Sequence, residues 1–167
     1  MRRRGGRFLI MVHPPSPPFF TPLSYPQPPT SLTPPKSELS QIREALNVGP
    51  EDQSLWYYHQ FLILALTTPS GHPAAAMTAS FTQQDRITYL TREIEEIKEL
   101  LEDYGDVKLI YEALFEYTRA LCGLEGREVG EGEKGELRGW LGRLRVLDPM
   151  RRGRWEDLGR ECGLAGE

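Results

Sequence analysis

A chain of 167 residues is long enough for one domain with a real core, and no apolar run in it approaches the ~20 residues of a membrane span. Its 20 basic and 24 acidic residues hide a split. Arg2, Arg3, Arg4 and Arg7 are the only charges before Lys36, so the remainder sets 16 basic against 24 acidic residues. A body that acidic would repel phosphates instead of releasing their counterions, which excludes nucleic acid as the natural ligand and suits a solvated surface or a basic protein partner.

Residues 1–36 hold ten of the fourteen prolines, Pro14-Pro15, Pro17-Pro18, Pro28-Pro29 and Pro34-Pro35 among them. Proline lacks the amide donor and pushes the preceding residue out of the helical region, so this segment reads as disordered or extended. A polyproline-reading partner for Pro14 to Pro18 is a lesser reading, and a plainer one is that the stretch is not native coding sequence. Phe8 to Val12 follows arginines as a signal core does. It is shorter than the ~7–15 residues such a core needs and runs straight into prolines, so the protein reads as cytoplasmic.

From Ser37 the chain reads as helix after helix. Ser37 can cap a helix whose stripe is Leu39, Ile42 and Leu46, ending near Asn47 to Gly49. Pro50 then stops the chain, and Asp52 or Ser54 can cap a second helix with Trp56, His59, Leu62 and Ile63 on its buried side, running to about Thr67. Thr68 to Ser80 is a loop. Thr82 and Asp85 are spaced as a capping box ahead of Ile87, Leu90, Ile94, Ile97, Leu101 and Tyr104, while the other face carries Glu93, Glu95, Glu96, Glu99, Glu102 and Asp103. Gly105 ends that helix and Asp106 caps the next, which buries Ile110, Leu114, Tyr117 and Leu121 and stops at Gly123. Gly123 to Gly135 reads as a mobile loop. A fifth helix follows with Leu137, Trp140, Leu141, Leu144 and Leu147, and Asp148-Pro149 heads a sixth with Trp155 and Leu158, ending near Gly163. No segment alternates with period two. The fold class is all-α: helical hairpin repeats (an alpha-alpha superhelix or solenoid) over 37–163, with hairpins at about 37–67, 81–122 and 136–163. If 37–67 is the first hairpin, an apolar face made for a preceding unit lies exposed, open to aggregation or to a partner.

The chemistry-bearing residues are few. Cys122 and Cys162 form no Cys-x-x-Cys pair, and His13, His59 and His72 do not cluster, so no metal site is indicated. His59 reads as part of the aromatic hairpin face and Cys122 as packing. Gly130 to Gly135 has the glycine spacing of a dinucleotide loop, but no strand precedes it and Glu131 and Glu133 would repel a pyrophosphate. Glu95, Glu96 and Glu99 read first as a solvated face and second as a site for basic partner residues. Arg143, Arg145, Arg151, Arg152, Arg154 and Arg160 form the one basic cluster of the body. Solvation or pairing with a partner's carboxylates is the first reading, and diphosphate or anionic-partner binding the second.

Pro50-Glu-Asp-Gln-Ser-Leu-Trp-Tyr-Tyr-His59 resembles the repeat signature of protein prenyltransferase alpha subunits, Ser-x-Trp-x-Tyr-x-Arg. Ser54, Trp56 and Tyr58 fit, and Gln60 stands where the family has Arg. The wording is most like the C-terminal part of the type II, or Rab geranylgeranyltransferase, alpha subunit. Two further stretches share the likeness: Glu95 to Tyr117, with Leu109 in place of a Trp, and Leu144 to Leu158, where Asp148-Pro149 leads to Trp155 in place of a Tyr. The resemblance implies a transferase subunit that scaffolds a zinc-bearing beta subunit within a heterodimer moving geranylgeranyl to C-terminal cysteines of Rab GTPases, with the Rab escort protein and the Rab engaged indirectly. It implies no catalytic, cofactor-binding or metal-binding residue here, because the alpha-subunit residues that reach the active site belong to earlier repeats. Ser54, Trp56, Tyr58, His59, Trp140, Asp148, Pro149 and Trp155 are then repeat-signature and packing residues, and Arg143, Arg151, Arg152 and Arg154 candidate partner contacts. The alternatives are a non-catalytic helical-repeat scaffold for protein binding and an inactive truncated product.

Overall fold

A computed structural model describes residues 35–68 and 78–164. The Pro-rich segment up to residue 34, with Phe8 to Val12 and His13, lies outside the described residues, as do His72 and most of the loop expected from Thr68 to Ser80. Among the described residues there are six α-helices and no strand: α1 (Pro35–Val48), α2 (Gln53–Thr67), α3 (Gln83–Asp103), α4 (Lys108–Glu125), α5 (Glu131–Leu147) and α6 (Arg152–Glu161), with a 3-10 turn, Pro149–Arg151, leading into α6. They pair as hairpins α1–α2, α3–α4 and α5–α6, and α4 lies at the centre, packed on α2, α3 and α5. No described helix is long and apolar enough to cross a membrane.

Local chemistry sets the helix starts. The Asp52 carboxylate accepts the N–H groups of Ser54 at 2.8 Å and Leu55 at 3.4 Å, which opens α2. The Trp56 indole N–H donates to the Pro50 carbonyl at 2.7 Å and ties the turn to the helix it precedes. At α3 the Asp85 N–H donates to the Thr82 hydroxyl at 3.1 Å, and the Thr82 N–H donates back to the Asp85 carboxylate at 2.9 Å, a full capping box. Leu39, Leu46, Leu90, Ile94, Ile97, Ile110, Leu114, Tyr117, Leu137, Leu141, Leu144 and Trp155 are all buried in a continuous core.

Several local expectations differ. Ser37 does not stand ahead of the first helix as its cap, because α1 already starts at Pro35 and contains it. Asp106 does not cap α4: Val107 is the N-cap residue and makes no side-chain cap bond. Burying Val107 decides the turn, and Asp106 is left pointing outward, where its carboxylate accepts from the Arg143 guanidinium at 3.1 Å. Gly123 does not stop α4. A single glycine costs a helix only ~1 kcal/mol, and the burial of Leu121 and Cys122 carries the helix past it. The stop is Gly126, in the left-handed region at φ 66°, the conformation that glycine takes without a Cβ clash. The run expected as a loop to Gly135 is therefore short, and α5 starts at Glu131. Its Gly- and Glu-rich first turn is held by Glu133, which accepts the Gly130 N–H at 2.8 Å and two bonds from the Arg127 guanidinium, each 2.7 Å. That guanidinium lowers the Glu133 carboxyl to about 2.

Candidate functional site

A groove of about 90 Å³ runs between α2 and α4 and is closed at one end by the turn into α6. Gln53, Trp56, Tyr57 and Gln60 supply one wall, at helical spacing along α2. Leu109, Glu112, Ala113, Glu116 and Tyr117 supply the other from α4, and Arg151 and Arg154 stand at the closed end. Of the three positions that depart from the family's wording, Trp155 does not line it, and Gln60 and Leu109 do. A neutral amide there leaves that wall of the groove without charge.

Beneath the groove floor lies a buried polar network. The His59 ring, 0 % exposed, has Nδ1 2.9 Å from the Tyr117 hydroxyl and Nε2 3.2 Å from a Glu93 carboxylate oxygen. An ionised carboxylate only accepts, so Nε2 carries a proton, while Nδ1 shares a hydrogen bond with the Tyr117 hydroxyl. Arg43 of α1 completes the set, donating to both Glu93 oxygens. Burial pushes the Glu93 carboxyl up, but the hydrogen bonds from His59 and Arg43 outweigh it and hold the group below the usual carboxylate range. Burial, then the Glu93 charge, push the Tyr117 phenol up. The order carboxylate–imidazole–hydroxyl is that of a proton relay. With Glu93, His59 and Tyr117 at 1 %, 0 % and 3 % exposed, no substrate meets it, and the network acts as a lock joining four helices. Glu93 is thus no part of a solvated face. His59 does pack with aromatics, edge-on to Trp56 at 5.9 Å and tilted on Tyr117 at 5.5 Å, yet its polar bonds matter as much.

The arginines do not form one patch. Arg151 and Arg154 flank the Trp155 ring at 5.1 and 5.4 Å and share Glu112, Arg151 through two bonds of 3.3 and 3.4 Å. Asp148 is buried and binds Arg151, with Lys108 3.4 Å away, and its carbonyl accepts from the Trp155 indole at 3.4 Å. No side-chain cap bond forms at Asp148, and Pro149 opens the 3-10 turn. Arg143 lies apart, over the Tyr111 ring and bonded to Asp106, while Arg152 pairs with Glu156 and Arg160 with Asp157 on α6 itself. Of the signature residues, Trp56 and His59 are buried together, Ser54 is exposed, and Tyr58 is largely exposed with its hydroxyl donating to Glu38 at 2.6 Å. Trp140 is buried on α5 beneath Lys98.

Two functional side chains were not singled out from the sequence. Arg86 is buried and closes the end of α2, donating to the carbonyls of Ala65 (3.2 Å), Leu66 (2.8 Å) and Thr78 (2.7 Å). Glu93 is the other. The signal was present: Arg86, Leu90, Glu93 and Ile97 fall at i, i+4, i+7 and i+11, so both charges sit on the apolar stripe of α3 rather than opposite it. Among the described residues, no group of three or more His, Cys, Asp or Glu is placed to hold a metal ion.

The chain is 32% identical over 126 residues to the geranylgeranyl transferase type-2 subunit alpha of the fission yeast Schizosaccharomyces pombe, a match covering 74% of this chain and 35% of the relative. The chain belongs to the prenyltransferase alpha-subunit family. It spans about a third of that relative's length. No protein-family model matches it, and no solved structure does.

Proposed function

We propose that this chain acts as part of the alpha subunit of a cytoplasmic Rab geranylgeranyltransferase, scaffolding a beta subunit in a heterodimer. The observation that carries this reading is the 32% identity to the fission-yeast alpha subunit over 126 residues. In this reading the beta subunit holds the zinc, whose role is to bind and activate the acceptor thiolate. This chain contributes no reacting group. Its Trp56 anchor and the Arg43–Glu93–His59–Tyr117 lock fix the angle between the first two hairpins, and the α2–α4 groove offers a preformed seat for partner side chains. Arg151 and Arg154, both lining the groove, are the partner contacts best placed to act together, and Arg143 and Arg152 lie outside it. The escort protein and the Rab are reached through the assembled heterodimer.

Co-expression with a type-2 beta subunit and purification through a tag on this chain tests the proposal. Retention of the beta subunit, weakened at least tenfold by Arg151→Glu with Arg154→Glu, is the expected result. Failure to retain it under conditions where the fission-yeast alpha subunit does so would remove the reading. Gln60 favours one alternative, a protein-binding scaffold without transfer, since an amide cannot replace an arginine's charge. Retention of the beta subunit without geranylgeranyl transfer to a Rab presented by its escort protein would select it.

A further inference from the structure

The groove between α2 and α4 holds about 90 Å³, well under the ~300–1,000 Å³ of small-molecule sites, so it is sized for a single side chain. Its two walls differ in charge. The α2 wall, Gln53, Trp56, Tyr57 and Gln60, carries none, whereas Glu112 and Glu116 stand one turn apart on α4. These two carboxylates are not equivalent. Glu112 is shared by Arg151, at 3.3 and 3.4 Å, and by Arg154 at 3.7 Å. Glu116 lies a turn further along α4, and its ion-pair partner is Arg119 of the same helix at 3.8 Å, near the ~4 Å limit for such a pair. Arg119 does not line the groove. Its guanidinium lies over the Phe115 ring, 5.8 Å from the centre.

Packing decides what can meet Glu116. The bond of 2.9 Å between His59 and Tyr117 fixes the register of α2 on α4. Gln60 follows His59, Glu116 precedes Tyr117, and both line the groove, so an amide and a carboxylate bracket the same stretch of it. The amide carbonyl and the carboxylate are both acceptors, and together they match a donor that carries positive charge. Tyr57, 61 % exposed, adds an open aromatic ring on the α2 side. A planar guanidinium stacks on such a ring and presents a fork of N–H donors, which a compact ammonium cannot do. Because Glu112 engages Arg151 and Arg154, their repulsion of an incoming cation is reduced. The field of the body points the same way, with 16 basic against 24 acidic residues from Lys36 onward.

We infer that this groove seats an arginine side chain of a partner protein, its guanidinium donating to Glu116 and Gln60 and its stem lying along Tyr57 and Ala113. The inference rests on the groove being a partner's seat, as proposed above. Its test uses this chain alone, so loss of binding and loss of the beta subunit are read separately. n-Propylguanidinium chloride, an arginine side chain without its backbone, would be titrated below denaturing concentration into the full 167-residue chain. NMR would follow the Gln60 side-chain amide and the Ala113 backbone amide. Shifts that approach a plateau are expected, and n-propanol and butyrate should not reproduce them. Glu116→Gln should weaken the apparent affinity at least fivefold. Gln60→Arg, which tethers a guanidinium beside Glu116, should abolish the shift at Ala113, and Glu99→Gln on the exposed side of α3 should change nothing. Gln60 is exposed and Glu116 is 32 % exposed, so circular dichroism should show intact helices, and if one variant melts early the other carries the comparison. No saturable shift, an equal response to n-propanol, or a shift that neither variant weakens would overturn the inference. So would a response to butyrate alone, which would give the groove to an acidic side chain through Arg151 and Arg154.

Discussion

The joint between the first and second hairpins and the joint between the second and third are made of different materials. The first is charged and mostly buried: Glu93 of α3 receives part-buried Arg43 from α1 and His59 from α2, and His59 reaches Tyr117 on α4, with Glu93, His59 and Tyr117 within the core. The second is mainly apolar inside, with Leu137, Trp140, Leu141, Leu144 and Trp155 buried; Asp148, bound to Arg151, is its one buried charge among the described residues, and the pairs Lys98–Glu136, Arg143–Asp106 and Arg151–Glu112 stay in reach of water. A buried charge is tolerated only in the one geometry that satisfies all its bonds, so the first joint specifies an angle. An apolar joint with solvated ion pairs can lose any one pair and still close. The contrast predicts one joint that fails at a single substitution and one that does not.

The largest effect should come from Glu93→Ala. Removing one member of a buried ionic set leaves Arg43 and His59 without their partner, a loss of about 3–5 kcal/mol by analogy with broken buried pairs. Urea denaturation of the full chain measures it, and a loss under about 1 kcal/mol would mean that Glu93 is not the keystone. Trp155→Ala probes the second joint through its apolar part. A buried Trp cut to Ala costs about 3–5 kcal/mol, and the lower end applies here because Arg151 and Arg154 can settle toward the space left. A cost matching that of Glu93→Ala would show the two joints to be equally brittle for different reasons.

Acid should separate the joints next. The folded Glu93 carboxyl lies below the usual carboxylate range, so its contribution is present above the unfolded value near ~4.3 and is lost as pH falls through the folded value. Stability should therefore drop between about pH 5 and pH 3, and Glu93→Gln, which has no charge to lose, should flatten that part of the curve. Curves for wild type and Glu93→Gln that run parallel through this window would remove the carboxylate from the acid response.

Much of this was legible in the residues. The capping box at Thr82 and Asp85, the Asp52 cap and the stripe of α3 follow from local rules, and each has the predicted partner. The all-α class follows from the same periodicities. What escaped was decided by contacts far apart in sequence. Glu93 looks like one more acid among Glu95, Glu96 and Glu99 until Arg43 and His59, 50 and 34 residues away, are brought to it. The α5 start was hidden because Gly130, Gly132 and Gly135 lower helix propensity, and the fork from Arg127 to Glu133 that offsets them has no periodic signature. The groove could not be read at all, since Gln60, Leu109 and Arg151 meet only when three helical elements pack.

The smallest effect tests the tolerance of the second joint. Lys98 bridges α3 to α5 through Glu136 at 3.0 and 3.2 Å and lies 5.9 Å from the Trp140 ring centre. Its ammonium is partly desolvated, which lowers its affinity for protons, yet the Glu136 carboxylate outweighs this and raises it. Both side chains remain in contact with water, so the attraction is screened and holding two long chains in place costs entropy. A double-mutant cycle of Lys98→Ala and Glu136→Ala should give a coupling of about 0.2–1 kcal/mol that shrinks as salt is raised from low to physiological strength. A coupling above about 2 kcal/mol, insensitive to salt, would place this pair with Glu93 rather than against it. The stack would then be locked by charge at both joints, and the difference between them would reduce to how deeply each charge is buried.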